Sequence, residues 1–400
     1  MIYDAIVVGA GPSGSTAARE MAQRGASVLL LDKARFPRDK PCGGGVTIRA
    51  AALLPFDLSP VVERTVNGVF ISHDLKGGFA RRYPKPITYL TQRRHLDSFL
   101  VERAQIAGVT FHDGDAVTGI EEGRGGVTVK TRTGVARGRV LIGADGANGV
   151  VGKLTRLAGP RDTAVALEGN IAFRSGLPTR WQSVVGMDLG GIPGGYGWLF
   201  PKGDHVNVGV GGWQYLAGTL RNRLRRLCRF YGLAEESMYG LRGHHLPVRR
   251  RGSPLACGRV ALTGDAAGLI DPLSGEGIYA AMYSGRAAAG AAMRLLTGEI
   301  TSLAPYAGEI ERELMPDLEA SRRFQDVFYL VPGVYVGLLE HSDRIWSVLA
   351  RLIRGEQSYV AFKRRLGPLG RLVDGLSQLT RTTPLGKVAG LPRYGPRGRG

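Results

Sequence analysis

Ala5-Ile6-Val7-Val8 is a short, continuous apolar run that ends in glycine. A strand that is apolar on both faces is one buried on both sides, so the run belongs at the centre of a parallel sheet. Ser13 to Arg24 carries a helical pattern closed by Gly25, and Ser27-Val28-Leu29-Leu30-Leu31 is a second buried strand ending at Asp32. Together they form a βαβ unit. The strand pattern returns in Arg139-Val140-Leu141-Ile142 and Arg259-Val260-Ala261-Leu262, each followed by a turn of glycine and aspartate. Widely separated segments are thus expected to build one sheet. Between Thr163 and Val248 the pattern changes to alternating strand-like segments punctuated by Gly and Pro, with a basic helical stretch from Leu216 to Tyr231. This predicts an inserted antiparallel β-sheet. After Gly275 comes a helix rich in Ala and Gly, and from about Pro305 helical patterns continue to a Gly/Pro/Arg tail.

The chain has 400 residues, 44% of them apolar, more than one compact domain usually takes, so two intergrown domains are expected. Cys42, Cys228 and Cys257 are odd in number and lack paired metal spacing, which points to a reducing compartment and to no metal site. His244-His245 receives no ligand role, because neighbours on an extended segment face opposite ways. Met1-Ile2-Tyr3-Asp4 enters the first strand at once, so no secretion signal is expected. The apolar stretch from Val327 to Leu339 is broken by Pro332 and Gly333 and falls short of the ~20 residues of a spanning helix. The expected location is the cytoplasm, with the inner face of the membrane as the alternative.

A formal net charge of +19 fits nucleic acid, an anionic membrane, a phosphorylated substrate or a solvated basic surface. The excess gathers toward the C-terminus, where residues 350–400 hold eleven Lys/Arg against Glu356 and Asp374. Specific nucleic-acid binding has only this charge in its favour. Arg344 to Arg354 is amphipathic, with Ile345, Val348, Leu349 and Leu352 on one face and Ser347, Arg351 and Arg354 opposite. Such a helix either anchors at an anionic membrane or packs its apolar face on the protein.

Gly9-Ala10-Gly11-Pro12-Ser13-Gly14 lies between a predicted strand and a predicted helix, the setting of a dinucleotide-binding turn. Gly9 permits the tight turn, Gly11 lets backbone approach a pyrophosphate, and Gly14 lets helix and strand pack closely. Pro12 and Ser13 open a helix whose free N–H groups face the phosphates. Asp32, eighteen positions past Gly14 and followed by Lys33, stands where a ribose hydroxyl needs an acceptor. The dinucleotide is NAD or FAD on this pattern alone.

Gly143-Ala144-Asp145-Gly146 and Gly264-Asp265-Ala266-Ala267-Gly268 resemble the paired aspartate motifs of the p-hydroxybenzoate-hydroxylase-like flavoproteins. The resemblance implies FAD, with Asp145, Gly264 and Asp265 at the cofactor and Asp265 on its ribose or pyrophosphate. Pro272-Leu273-Ser274-Gly275-Glu276-Gly277-Ile278 follows, and Gly275, Gly277 and Ile278 are expected to open a helix pointing at the flavin. Arg93, in Arg93-Arg94-His95-Leu96-Asp97, matches an arginine that this group places near the cofactor. Gly209-Val210-Gly211-Gly212 lacks the spacing of a second phosphate turn. The electron donor, NAD(P)H or a reduced carrier protein, is therefore expected to dock transiently.

Lys40-Pro41-Cys42-Gly43-Gly44-Gly45, and Tyr196-Gly197-Trp198-Leu199-Phe200-Pro201 followed after Lys202 to Val208 by Gly209-Val210-Gly211, resemble the signatures of the geranylgeranyl reductase family. The resemblance spans roughly Ile2 to Leu296. It implies reduction of isolated double bonds in a polyprenyl substrate, with Cys42 important for activity and Cys42, Gly43 and Gly44 close to the flavin. Such an alkene is electron-rich and needs a proton donor acting with hydride delivery from the flavin. Cys42 is the first candidate and Tyr196 the second. Tyr196, Trp198 and Phe200 alternate along a strand and project to one face, so with Pro201, Gly209 and Gly211 they are expected to line the substrate site; the plain alternative is a domain core. Two rivals are a flavin-dependent aromatic monooxygenase on the same fold and a non-catalytic isoprenoid-binding protein. The Cys42 loop argues against the first, and the complete phosphate and ribose motifs against the second.

The expected fold class is α/β. A Rossmann-like FAD-binding domain comprises 1–72, 93–162 and 249–300. The inserted antiparallel β-sheet substrate domain comprises 73–92 and 163–248, followed by a helical C-terminal region, 301–390, and a disordered tail, 391–400.

Overall fold

The structure is a computed structural model, and residues 1–123, 125–173 and 176–382 are described; the expected tail at 391–400 lies outside them. Its first sheet is centred on Ile2–Val8, which runs parallel to Val135–Gly143 on one side and Val28–Leu31 on the other. Val260–Leu262 and Thr110–His112 extend the parallel core outward. The four continuous apolar runs of the sequence thus all enter one sheet, each buried on both faces. An antiparallel hairpin, Val117–Gly123 with Gly126–Thr131, continues from the end of Val135–Gly143 that precedes the core.

Helix Pro12–Ala22 and helix Ile278–Leu296 lie against each other. Their closeness explains the small residues of the second helix, since a Cβ on Gly285 would overlap the Ser13 carbonyl. Ala280, Ala281, Ser284 and Ala288 are likewise buried. This contact brings the starts of both helices to the same region.

The second sheet has seven strands in the order Tyr239–Arg249, Arg161–Ala172, His205–Trp213, Gly195–Pro201, Val184–Ile192, Gly68–His73, Lys76–Arg82. It is antiparallel except where Val184–Ile192 runs parallel to Gly68–His73. Strand Gly68–His73, of which 68–72 is assigned above to the cofactor domain, is therefore part of the second sheet. Helix Leu220–Tyr231 covers one face, burying Leu220, Leu224, Leu227, Cys228 and Tyr231 against Val206, Val208 and Val210 while its arginines point outward. A three-stranded sheet, Gly45–Thr47, Thr88–Leu90 and Arg64–Val66, adjoins the assembly.

The C-terminal region is helical. Helix Asp343–Arg354 lies with Trp346 and Ala350 in one core cluster with Val69, Ile71 and Val185 of the second sheet, while Val348 and Leu352 pack with Ala320 and Tyr359 and Ile345 stays exposed. The Trp346 indole N–H donates to the Arg82 carbonyl at 2.6 Å. Of the two uses open to this amphipathic helix, packing on the protein occupies Trp346. Among the described residues no helix is long and apolar enough to cross a membrane, and no His/Cys/Asp/Glu group could hold a metal.

Candidate active site

Gly9 has φ of +101°, which L side chains rarely adopt, and a Cβ there would overlap the Ala144 carbonyl. Gly11 differs, because the space beyond it is open. A Cβ on Gly11 would stand 3.7 Å from Arg38 Nη2 and 3.8 Å from Arg93 Nη2. Helix Pro12–Ala22 starts here with Pro at its first turn, and the buried Ser13 Oγ has no partner. Two guanidinium groups, an unpartnered hydroxyl and free helix N–H groups around a gap fit the pyrophosphate of FAD. Asp32 closes one side: Oδ2 accepts from the Ala10 amide at 2.9 Å and Oδ1 from the Ala34 amide at 2.9 Å. Each oxygen keeps a lone pair for a ribose hydroxyl.

Arg93 is buried and bidentate to Asp97, its Nε and Nη2 each 2.8 Å from a carboxylate oxygen; Arg38 Nη1 reaches the same carboxylate at 3.0 Å. Burial opposes the charge of Arg93, but Asp97 and Cys42 outweigh it and hold its pKa above the ordinary arginine value. On the far side, Asp265 lies 3.0 Å from Lys40 Nζ and 3.8 Å from His244 Nε2. Burial works against its ionisation, yet Lys40 and His244 keep the carboxyl well below the usual range. A Cβ on Gly277 would stand 3.3 Å from Asp265 Oδ1, so this carboxylate adjoins the N-terminus of helix Ile278–Leu296. Asp145 Oδ2 accepts from the amides of Val150 at 2.6 Å and Val151 at 2.9 Å at the start of helix Val151–Leu154, while its Oδ1 is buried without a partner. Lys33 is exposed.

Cys42 packs against the hydrophobic cluster that includes Val46, Leu96, Ile278 and Met282. Its amide donates to Glu168 Oε1 at 2.6 Å, and Gly44 N–H approaches its sulfur at 3.4 Å. Its side chain acts electrostatically on the Arg93 guanidinium. Lys202, almost wholly buried, donates to the carbonyls of Gly43 at 2.6 Å and Thr91 at 3.0 Å. Burial pushes the Glu168 carboxyl up to about 7, against the Cys42 amide, Lys202, Asn207 and Arg93. Burial pulls the Lys202 ammonium down to about 8, against Cys42, Glu63 and Glu168.

The aromatic row lies directly beneath this loop. A Cβ on Gly43 would stand 2.7 Å from Phe200 Cδ2 and 3.4 Å from Trp198 Nε1, so the loop can rest there only as glycine. Trp198 donates to Asn207 Oδ1 at 2.8 Å, and its ring crosses Gly209 on the paired strand. Tyr196 meets Trp198 edge-on, with centroids 6.1 Å apart, and its hydroxyl donates to the Ser274 carbonyl. Burial, reinforced by Asp271, Cys42 and Glu276, drives its pKa well above the ordinary tyrosine value. Sequence periodicity puts all three rings on a substrate wall; in the structure Trp198 and Phe200 have the glycine loop as their neighbour.

Cys42, Gly43, Gly44, Arg93, Tyr196, Trp198, Phe200 and Ile278 therefore converge, with Gly11, Ser13, Asp32, Asp265, Gly275 and Gly277 around the adjoining cofactor cradle. Pro201 is buried, and Gly211 is spaced along the strand beside Trp198. Sequence reasoning did not single out Arg38, Lys40, Glu168, Lys202 or Asn207. Lys40 opens the first signature and Lys202 follows the aromatic segment of the second; Glu168 carries no local signal.

Residues 2–189 match the FAD binding domain family. The chain is 33% identical over 350 residues to the geranylgeranyl diphosphate reductase of Rhodobacter capsulatus, covering 82% of this chain and 85% of that one. It is 32% identical over 311 residues to the menaquinone reductase of Mycolicibacterium smegmatis, covering 72% and 75%. A solved geranylgeranyl bacteriochlorophyll reductase-like protein from Thermoplasma acidophilum gives a TM-score of 0.71 at 26% identity over 81% of this chain and 88% of that one. With its cradle and cysteine loop, the chain belongs to the geranylgeranyl reductase family of FAD-dependent oxidoreductases.

Proposed function

We propose that this chain reduces isolated double bonds of a polyprenyl lipid, diphosphate or quinone side chain. The observation that carries the reading is Cys42, held in a glycine loop with Arg93, Glu168 and Lys202 around it, on the hydrophobic cluster that includes Ile278 of helix Ile278–Leu296. FAD would be held by Gly11, Ser13, Asp32, Arg38, Arg93 and Asp265, and once reduced by NAD(P)H or a carrier protein it supplies hydride. The chain supplies the rest. Cys42 gives its proton to the less substituted alkene carbon, so that cationic character develops at the carbon that receives hydride. The anion left on sulfur would be offset by the Arg93 guanidinium and the Lys202 ammonium, each of which interacts electrostatically with Cys42. Tyr196 has its proton engaged on Ser274 and orients the loop that precedes the helix.

The test is anaerobic turnover of geranylgeranyl diphosphate and of a menaquinone, with dithionite as reductant and products read by mass spectrometry. The expected result is gain of two hydrogens per reduced bond. Oxygen-dependent gain of a hydroxyl would overturn the reading in favour of a monooxygenase.

A further inference from the structure

We propose that Glu168 is the proton reservoir of this site, returning a proton to the Cys42 sulfur after each alkene reduction. The inference rests on the reading of Cys42 as proton donor. Each turnover leaves sulfur without a proton, and a second turnover needs it replaced at a thiol that is only partly exposed. In the refilling step the O–H bond of the Glu168 carboxyl breaks and the S–H bond of Cys42 forms. No electron changes hands, and bulk water then reprotonates the carboxylate.

Three observations favour Glu168 over its neighbours. Its Oε1 accepts from the amide of Cys42 itself at 2.6 Å, which by covalent geometry puts the carboxyl within one bridging water of the sulfur. The ladder between Arg161–Ala172 and Tyr239–Arg249 slips between Glu168 and Asn170; such bulges re-aim side chains and recur beside active sites. Finally, Glu168 is buried without a direct ion pair among the described residues, and burial sets its pKa at about 7, so both protonation states are within reach at neutral pH. A carboxylate serving only to hold the loop would need no such value.

The neighbouring groups are less suited. Arg93 does not release protons in proteins, Tyr196 is tied to Ser274, and Lys202 is fixed by two carbonyls. The groups facing Glu168 are Cys42 from the loop, Arg93 from helix Arg93–Ile106, Lys202 after strand Gly195–Pro201, and Asn207 from strand His205–Trp213. Arg242, its register partner on the edge strand, is exposed.

Glu168→Gln keeps an oxygen that can accept from the Cys42 amide but cannot carry the proton. With dithionite-reduced holoprotein, the first turnover of geranylgeranyl diphosphate or menaquinone should be slowed far less in E168Q than those that follow, because only the later turnovers draw on a replaced proton. Continuous turnover should fall by about 10²-fold or more, the scale of losing a positioned acid, and Glu168→Asp should recover part of it. Equal slowing of both phases would make Glu168 a loop-positioning residue and overturn the proposal, as would a continuous rate that does not change. A second arm needs no substrate. The alkylation rate of Cys42 by iodoacetamide, assigned by peptide mass spectrometry, should inflect near pH 7 in the wild type and not in E168Q; identical profiles overturn the proposal. If wild-type protein reduces neither prenyl substrate, the proposed function fails instead, and the alkylation arm still decides whether Glu168 and Cys42 are coupled.

Discussion

A buried carboxyl that resists ionisation must weaken the fold wherever it is ionised, and Glu168→Gln isolates that effect. Its ordinary pKa of 4.5 rises to about 7 in the folded protein, with burial as the main cause. Below 4.5 both states are protonated and the carboxyl costs nothing. As pH rises from 4.5 to about 7 the unfolded chain ionises first, so stability is lost, and above 7 the loss is complete. At 1.36 kcal/mol per pH unit, the difference between 4.5 and 7 amounts to about 3 kcal/mol. Unfolding entropy of ~2.1 cal/mol/K per residue over 400 residues is roughly 0.8 kcal/mol/K, which converts this to a Tm difference on the order of 4 °C. Lys202 runs in the opposite sense: its contribution is present above 10.5 and lost as pH falls through about 8. The two buried groups are thus charged together chiefly between about 7 and 8. Differential scanning fluorimetry of wild type and E168Q, from pH 4.5 to 8, should show curves that nearly coincide at the acid end and separate with E168Q higher at pH 8. A gap that stays constant with pH, or an E168Q that melts lower at pH 8, would mean that Lys202 and Arg93 fully compensate the carboxylate, and the reasoning would fail.

Cys42→Ser should retain FAD and accept electrons from dithionite at the wild-type rate, while reoxidation by the prenyl substrate slows about 10²-fold or more in anaerobic stopped flow. Arg93→Met should lower stability by ~3–5 kcal/mol, because Asp97 stays wholly buried with Arg38 as its remaining guanidinium partner. The pair R93M/D97L should recover stability in urea titrations without recovering FAD affinity. Trp346→Ala removes a buried ring from the second sheet's core and its bond to Arg82, so Tm should fall by the equivalent of ~3–5 kcal/mol. Binding to anionic vesicles should be unchanged in that variant, since the indole is not on the surface.

The parallel sheet was legible because each of its core strands is buried on both faces and therefore writes itself as an unbroken apolar run: Ala5–Val8, Val28–Leu31, Val140–Ile142 and Val260–Leu262 all pair as their pattern requires. Gly68–His73 shows where such reading stops. Its pattern says strand, but its parallel partner is Val184–Ile192, and no local feature tells an apolar strand which of two sheets will receive it. Helix Asp343–Arg354 is a similar case. Amphipathicity predicts an apolar face but not its neighbours: Leu349 meets the sheet's cluster, Val348 and Leu352 pack with Ala320 and Tyr359, and Ile345 is exposed.

The candidate site divides along the same line. Gly9, Gly11, Gly43 and Cys42 could be read because each meets a local demand: a positive φ, an open approach, a loop without room for a side chain, a thiol beside it. Glu168 meets a demand that exists only in three dimensions. It is 126 positions from the amide it accepts from, and Lys202 is 159 positions from the Gly43 carbonyl it binds. Locally, Leu167-Glu168-Gly169-Asn170 resembles the polar side of an alternating strand, and the slip between Glu168 and Asn170 breaks the period by which a side chain's face is assigned. What makes a carboxyl unremarkable on a strand surface is water, and what makes this one a candidate proton carrier is that the cysteine loop, Trp198 and Asn207 exclude it. The chemistry of the pair is therefore a property of closure: burial raises the acid and lowers the base, and displacing the glycine loop should return both groups toward their solvent values.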